Sequence, residues 1–351
     1  MKKSTHWILG AAAILAGALA LQCSAIAQTP DAYLQDLYAK AKAAGQTEIT
    51  VYAASSADNR PVYDAFQKLF PTITVKSIDI FGPPLQSRLQ AEFASTGPQA
   101  DLVASGEPDM LILHRNGWLQ PYLPETAKGL PDQLIGPDKS WIDYASIPLG
   151  GIVNKNVVTP ADAPKSWKDM VDPKWRGKTA VSNPGAINGL SQALAAGLKA
   201  GIIDQAWLDA LAANKPLVNP GAVATLQMVV TGQAAFAPIV AYAQYLTAKG
   251  QGAPIEFVWP AEGYTALPAP VGLLNKAPHP EAAKLLMAWM MTPAAQEIFS
   301  KTVGQPGTMP GAPPLSNLPA GTNTTRFILD WRYLQEKYPD LLAGFKKTFG
   351  T

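Results

Sequence analysis

The sequence predicts an α/β fold built as two lobes joined by two extended crossovers. Three observations predict it. Strand-like and helix-like runs alternate along most of the chain, the pattern of a parallel sheet covered by helices. Two extended runs interrupted by proline and glycine, "WIDYASIPLGGIVNKNVV" and "YTALPAPVGLLN", break that rhythm. They bracket a second α/β set, so the chain leaves one lobe and later returns to it.

The elements follow from the hydrophobic pattern. "EITVYA" reads as a buried strand and "RPVYDAFQKLF" as an amphipathic helix. "TITVKSID" and "PPLQSRLQAEFAS" repeat the pair, as do "ADLVAS" and "EPDMLILHRNG", closed by Gly117. The first extended run reads as a crossover rather than a member of the first sheet. The second set holds strands "KTAVSNP", "QAAFAPIV" and "IEFVWP". Its helices are "NGLSQALAAGLKAG", "IDQAWLDALAAN", "GAVATLQMVVTG" and "AYAQYLTAKG". The chain ends in the helices "HPEAAKLLMAWMM", "PAAQEIFSKTV" and "RFILDWRYLQEKYPDLLAGFKKTF", the last two separated by the irregular "GQPGTMPGAPPLSNLPAG". Lobe one is expected over residues 28–146 and 268–351, lobe two over 152–264, and the hinge at 147–151 and 265–267.

Residues 1–27 stand apart. Lys2 and Lys3 precede an apolar stretch over residues 8–21, and Ala25-Ile26-Ala27 supplies an A-x-A cleavage pattern. This reads as a secretory leader, with the mature chain starting at Gln28. The apolar stretch is short for a ~20-residue membrane span. Ala20-Leu21-Gln22 before Cys23 makes a poor lipidation signal.

Composition narrows the function. Removing Lys2 and Lys3 from 28 basic residues leaves 26, against 26 acidic ones. A neutral chain without basic runs has no affinity term for nucleic acid. The single cysteine lies in the leader, so the mature chain holds no disulfide and no thiol chemistry. Proline is frequent, 32 of 351 residues, which favours many short connections. An exported soluble monomer is the expectation.

Catalysis finds no support. His114 and His279 are the histidines of the mature chain, and neither stands at metal-ligand spacing from another histidine. No H-E-x-x-H, C-x-x-C, G-x-S-x-G or P-loop pattern occurs. No metal, cofactor or catalytic residue is expected.

The loops after strands are more informative, because ligands of open α/β sheets sit at the carboxyl ends of strands. In "YAASSADN", Ser55 and Ser56 put hydroxyls and no bulk before a helix N-terminus. Asp58 or Asn59 would cap that helix, and Asn59 is also a ligand candidate. In "ASGEPDM", Ser105 and Gly106 precede a helix with proline in its first turn; a plain cap explains much of that loop. In "SNPGAIN", Pro184-Gly185-Ala186 forms a nest of N–H groups, flanked by the amides of Asn183 and Asn188. A tight strand–helix turn is the plainer alternative. In "FAPIVAYAQY", Val240 and Tyr242 mark a strand end, with Tyr242 and Tyr245 three apart on a helix. Tyr242 is either a buried packing residue or an aromatic wall for a ligand. Tyr264 lies at the start of the second crossover.

These residues resemble a known family. "PKSWKDMVDPKWRGKTAVSNPG", "ADLVASGEPDMLILHRNGWLQPY", "GAPIEFVWPAEGY" and "APHPEAAKLLMAWMMTPAAQEIFSK" are similar to runs in the solute-binding proteins of ABC importers. The resemblance is to the branch that includes ferric-iron-binding proteins and covers nearly the whole mature chain. It implies a type II periplasmic binding protein whose two lobes close on a solute. The closed receptor would deliver that solute to a membrane permease and its ATPase.

The resemblance also implies a test of the solute. Ferric binders hold iron with two adjacent tyrosines, a histidine and a glutamate. Those positions fall here at Val240-Ala241, near Ser56, and around Pro84. Ferric ion needs hard anionic oxygen ligands, which these residues do not supply. The anion loop of the iron binders falls on Pro184, Gly185 and Ala186. The expected solute is therefore a small organic anion: a carboxylate, phosphonate or phosphorylated compound. Ferric ion with a synergistic anion is the alternative within the family. A ligand sensor for a signalling partner and a secreted enzyme are the alternatives outside transport.

Overall fold

The computed structural model describes residues 31–54, 59–316 and 318–351. The leader, Ser55, Ser56 and Asp58 lie outside the described residues. The chain runs α1 (Ala32–Ala43), β1 (Glu48–Ala53), α2 (Arg60–Leu69), β2 (Thr74–Asp79), α3 (Gly82–Phe93), β3 (Leu102–Ala104), α4 (Glu107–Arg115), β4 (Leu119–Gln120) and β5 (Ile142–Asn154). It continues with β6 (Ala180–Ser182), α5 (Gly189–Ala200), α6 (Gln205–Ala213), β7 (Leu217–Asn219), α7 (Ala222–Val230), β8 (Phe236–Ala241), α8 (Tyr242–Gly250), β9 (Ile255–Val258) and β10 (Tyr264–Leu274). It ends with α9 (Pro280–Met290), α10 (Pro293–Ile298), β11 (Arg326–Ile328) and α11 (Trp331–Phe349).

The first three strand–helix units form the expected parallel layer, in the order β2-β1-β3. β10 then joins antiparallel to β3, β5 antiparallel to β10, and β8 antiparallel to β5. The long run taken as lying outside the first sheet is thus part of one continuous path. Only β5 and β10, with thirteen and eleven residues, are long enough to serve both ends of the molecule. Gly150 and Gly151 do not interrupt β5. A Cβ on Gly150 would lie 2.7 Å from the Phe257 ring and 2.8 Å from the Val258 carbonyl oxygen, so glycine is needed where β9 closes in. Within this pairing Ile147, Pro148 and Leu149 face Leu267, Ala266 and Thr265.

The buried apolar residues fall into groups at the two ends of the crossovers. One end packs α1, α2 and α9 on β1 and β3, centred on Phe66, Phe70 and Trp289. The other end holds Trp167, Trp207 and Phe236 on one face and Tyr242, Tyr245 and Phe257 on the other. Two helices cross between the ends. α5 places Ala195 and Ala196 beside Tyr52 and Leu111, and α11 places Phe345 with Trp167 and Trp207. The terminal helix, expected in lobe one, therefore packs on Trp167 and Trp207 of the segment expected to form lobe two.

Four elements were not read from the sequence: α1, the two-residue β4, β7 and β11. α1 precedes the first strand, is capped by Asp31, and buries Leu34, Leu37 and Ala41. β7 is three residues long and pairs with β6. Residues 326–328, read as the start of the last helix, form β11 against β10 instead. The Asp330 side chain accepts the Tyr333 N–H at 2.9 Å, and that cap starts α11 only at Trp331.

Candidate functional site

The nominated strand-end residues mostly serve the fold. Of the two cap candidates, Asp58 lies outside the described residues, and Asn59 precedes α2 in a helical rather than extended conformation and makes no capping hydrogen bond. Instead Asn59 is 4% exposed and its Nδ2 donates to the Tyr144 hydroxyl at 3.0 Å, tying α2 to β5. Ser105 is buried and donates to Asp109 Oδ2 at 2.6 Å. The same carboxylate accepts the Gly82 N–H at 2.8 Å and the Gln86 Nε2 at 2.9 Å, so Ser105 helps lock α3 to α4. Gly106 sits extended before α4, and its carbonyl accepts from Asp109 and Met110.

The nest expected of Pro184, Gly185 and Ala186 is turned inward. Asn183 Oδ1 accepts the Gly185 N–H at 2.8 Å, and the Asn183 carbonyl accepts the Ala186 N–H at 3.2 Å. A side-chain acceptor two residues back satisfies a donor that an anion would otherwise take. Asn188 forms a capping box with Ser191 at the start of α5. Pro184 and Gly185 are buried, and a Cβ on Gly185 would meet Lys346 and Thr351 at 2.6 Å. This loop packs on the end of α11. Val240 is core, packed with Ile152 and Ala237.

Tyr242 and Tyr264 behave differently. Trp259 stands between them, with ring centroids 4.9 Å from Tyr242 and 5.1 Å from Tyr264. Phe257 and Tyr245 extend the same aromatic group. Neither the Tyr242 nor the Tyr264 hydroxyl bonds to another described residue. Burial pushes the Tyr264 phenol up to about 12 against the opposing charge of Arg326, so it stays a neutral donor at physiological pH.

Beside Tyr264 opens a cavity of about 190 Å³, lined also by Pro306, Gly307, Leu315, Thr324 and Arg326. That is room for roughly six waters at ~30 Å³ each, the scale of a small solute. The cavity adjoins both crossovers. Pro306 and Gly307 run beside β5, where the Ser146 N–H donates to the Pro306 carbonyl at 2.9 Å. Arg326 lies on β11, opposite Tyr264 of β10. Its Nη1 donates to Ser146 Oγ at 3.0 Å, and among the described residues it forms no ion pair. A guanidinium carries five donors in a planar fork, so most of its capacity stays open.

Sequence reasoning missed Arg326, Ser146 and the 306–315 lining. Arg326 sat in a run read as helix, and the proline-rich stretch was read as a spacer. The only signal was the β-favouring Phe327-Ile328 ahead of the Asp330 cap.

Residues 99–337 match the model of a family described as bacterial extracellular solute-binding protein. The chain belongs to that family. A Salmonella typhimurium periplasmic protein, named provisionally for binding 2-aminoethylphosphonate, is 26% identical to this solute-binding protein over 313 residues. The match covers 84% of this chain and 89% of that one. Among solved structures, the substrate-binding protein of an ABC transporter from Agrobacterium tumefaciens superposes with a TM-score of 0.73 at 17% identity, over 86% of this chain and 94% of that one. Iron-bound HitA from Pseudomonas aeruginosa superposes with a TM-score of 0.67 at 21% identity, over 86% and 99%. At these identities the structural likenesses establish the fold, which is that of the two-lobed binding proteins, as the sequence predicted.

Proposed function

We propose that this solute-binding protein captures a small organic anion in the cavity beside Tyr264 and Arg326. It hands that solute to an ABC permease and ATPase from the periplasm. The observation that carries the reading is Arg326, a cation at a cavity with a hydroxyl anchor and, among the described residues, no acid partner. A planar fork of N–H donors matches a carboxylate or phosphonate in two parallel bonds. Tyr264 adds a neutral donor, and Pro306, Pro313, Pro314 and Leu315 provide an apolar wall. Phosphonates come first among the anions because the 26% identical relative is named for one. Capture proceeds by closure of the lobes about the paired 147–149 and 265–267 segments. Export rests on the cleavable leader before Gln28.

A thermal-shift series tests the solute class, since a ligand bound only by the native state stabilises it by mass action. The probes are 2-aminoethylphosphonate, inorganic phosphate, short carboxylates and ferric citrate. An upward shift with an organic anion, lost in Arg326→Gln, is expected. A shift confined to ferric citrate and kept in Arg326→Gln overturns the reading. N-terminal sequencing of the exported protein tests the leader; the expected first residue is Gln28, and an uncleaved chain contradicts it.

A further inference from the structure

Two acidic side chains, one on α4 and one on β5, are buried with too little around them to compensate their charge. Glu107, the first residue of α4, is 1% exposed, and Asp143, the second residue of β5, is 0% exposed. Among the described residues, none of their four carboxyl oxygens has a donor in hydrogen-bond geometry, the Trp331 N–H being near Glu107 but not aligned to it. Elsewhere the fold supplies its buried acids with donors. Asp101 accepts from the Thr50 N–H at 2.8 Å and from the backbone and ring of His279. Asp109 accepts three hydrogen bonds.

The charged groups that face the pair do not neutralise it. Asp330, at the start of α11, adds a third negative charge and raises the cost of ionising Glu107. Lys199 of α5 is the neighbouring cation, but it bonds to Asp330 at 2.9 Å. The Trp331 N–H at the α11 terminus favours ionisation without reversing the effect of burial. Burial therefore pushes both carboxyls well above the ordinary carboxylate range, with Asp143 the next contributor at Glu107. A carboxylate deprived of water and of donors does not stay ionised; it takes up a proton.

We propose that Glu107 and Asp143 hold protons in the native protein and that the fold loses stability as those protons are lost. Glu107 follows the strand-end loop at Ser105 and Gly106, and Asp143 lies near the start of the crossover strand β5. Asp143 is three residues before Ser146, the anchor of Arg326.

The sign of the pH effect follows. Below about pH 4 the folded and unfolded chains both hold these protons. As pH rises the unfolded chain releases them first, so the stability contributed by the pair is lost through the raised range of the folded state. Melting temperatures of the wild type, Glu107→Gln and Asp143→Asn between pH 4 and pH 9 test this. The variants should melt above the wild type at pH 8, and that gap should close toward pH 4. Parallel profiles overturn the proposal. Infrared spectra provide a readout that does not depend on a variant folding. The wild type at pH 7.5 should show the C=O stretch of a protonated buried carboxylic acid, and its absence also overturns the proposal.

Discussion

Two sites on one strand carry uncompensated charge in opposite ways. At Ser146, β5 holds Arg326, an exposed cation with no acid partner among the described residues. Asp143, three residues earlier, and Glu107 are buried acids with no aligned donor among those residues. The same imbalance has different consequences because water reaches one and not the other. An exposed guanidinium is solvated and costs little while it waits for an anion. A buried carboxylate has no such reserve and must be neutralised within the fold. The first site is open to a solute, the second only to a proton.

Reversing the exposed charge should break the comparison most sharply. Arg326→Glu should abolish anion binding, and the milder Arg326→Gln should weaken it about 30- to 100-fold, as for loss of a charged hydrogen bond. Either change should alter stability by no more than about 0.5 kcal/mol, because the side chain is exposed. Calorimetric binding and melting curves on the same preparation check both halves. At the buried site the effects exchange. Asp143→Asn should raise stability at pH 8 by about 1–3 kcal/mol, the scale of an unsatisfied buried group, and little at pH 4. Denaturant titrations at the two pH values measure it.

Smaller changes sharpen the contrast. Asn59→Ala removes the amide that donates to Tyr144 and should cost about 1 kcal/mol of stability. If it instead removes binding and leaves stability unchanged, Asn59 belongs to the solute site as the sequence suggested. Ser146→Ala should weaken binding less than tenfold, because Arg326 loses its anchor and keeps its charge.

The division between legible and hidden features has physical reasons. Strands β1, β3 and β8 and helices α2, α4 and α9 were legible because their apolar positions recur at strand or helix spacing. Tyr242 and Tyr264 were nominated from their places beside strand ends, and the structure joins them through Trp259. Loop hydroxyls and amides were harder to read. Ser105 and Asn183 have the residue types of a ligand site, yet each bonds within its own turn or to the next helix. Sequence does not distinguish a donor aimed at solvent from one aimed at a neighbour. Arg326 was hidden because its role depends on β11 pairing with β10 from more than fifty residues away. Glu107 is in view within "ASGEPDM", but that Asp143 is buried without a donor becomes visible only in the fold.

The central claim is that Arg326 faces a solute cavity rather than solvent alone. Isothermal titration of 2-aminoethylphosphonate and short carboxylates into the wild type and Arg326→Gln tests it most directly. The account predicts saturable one-to-one binding of at least one of these anions, weakened 30-fold or more by a substitution that leaves the melting temperature in place. Equal affinity in the two proteins would contradict it.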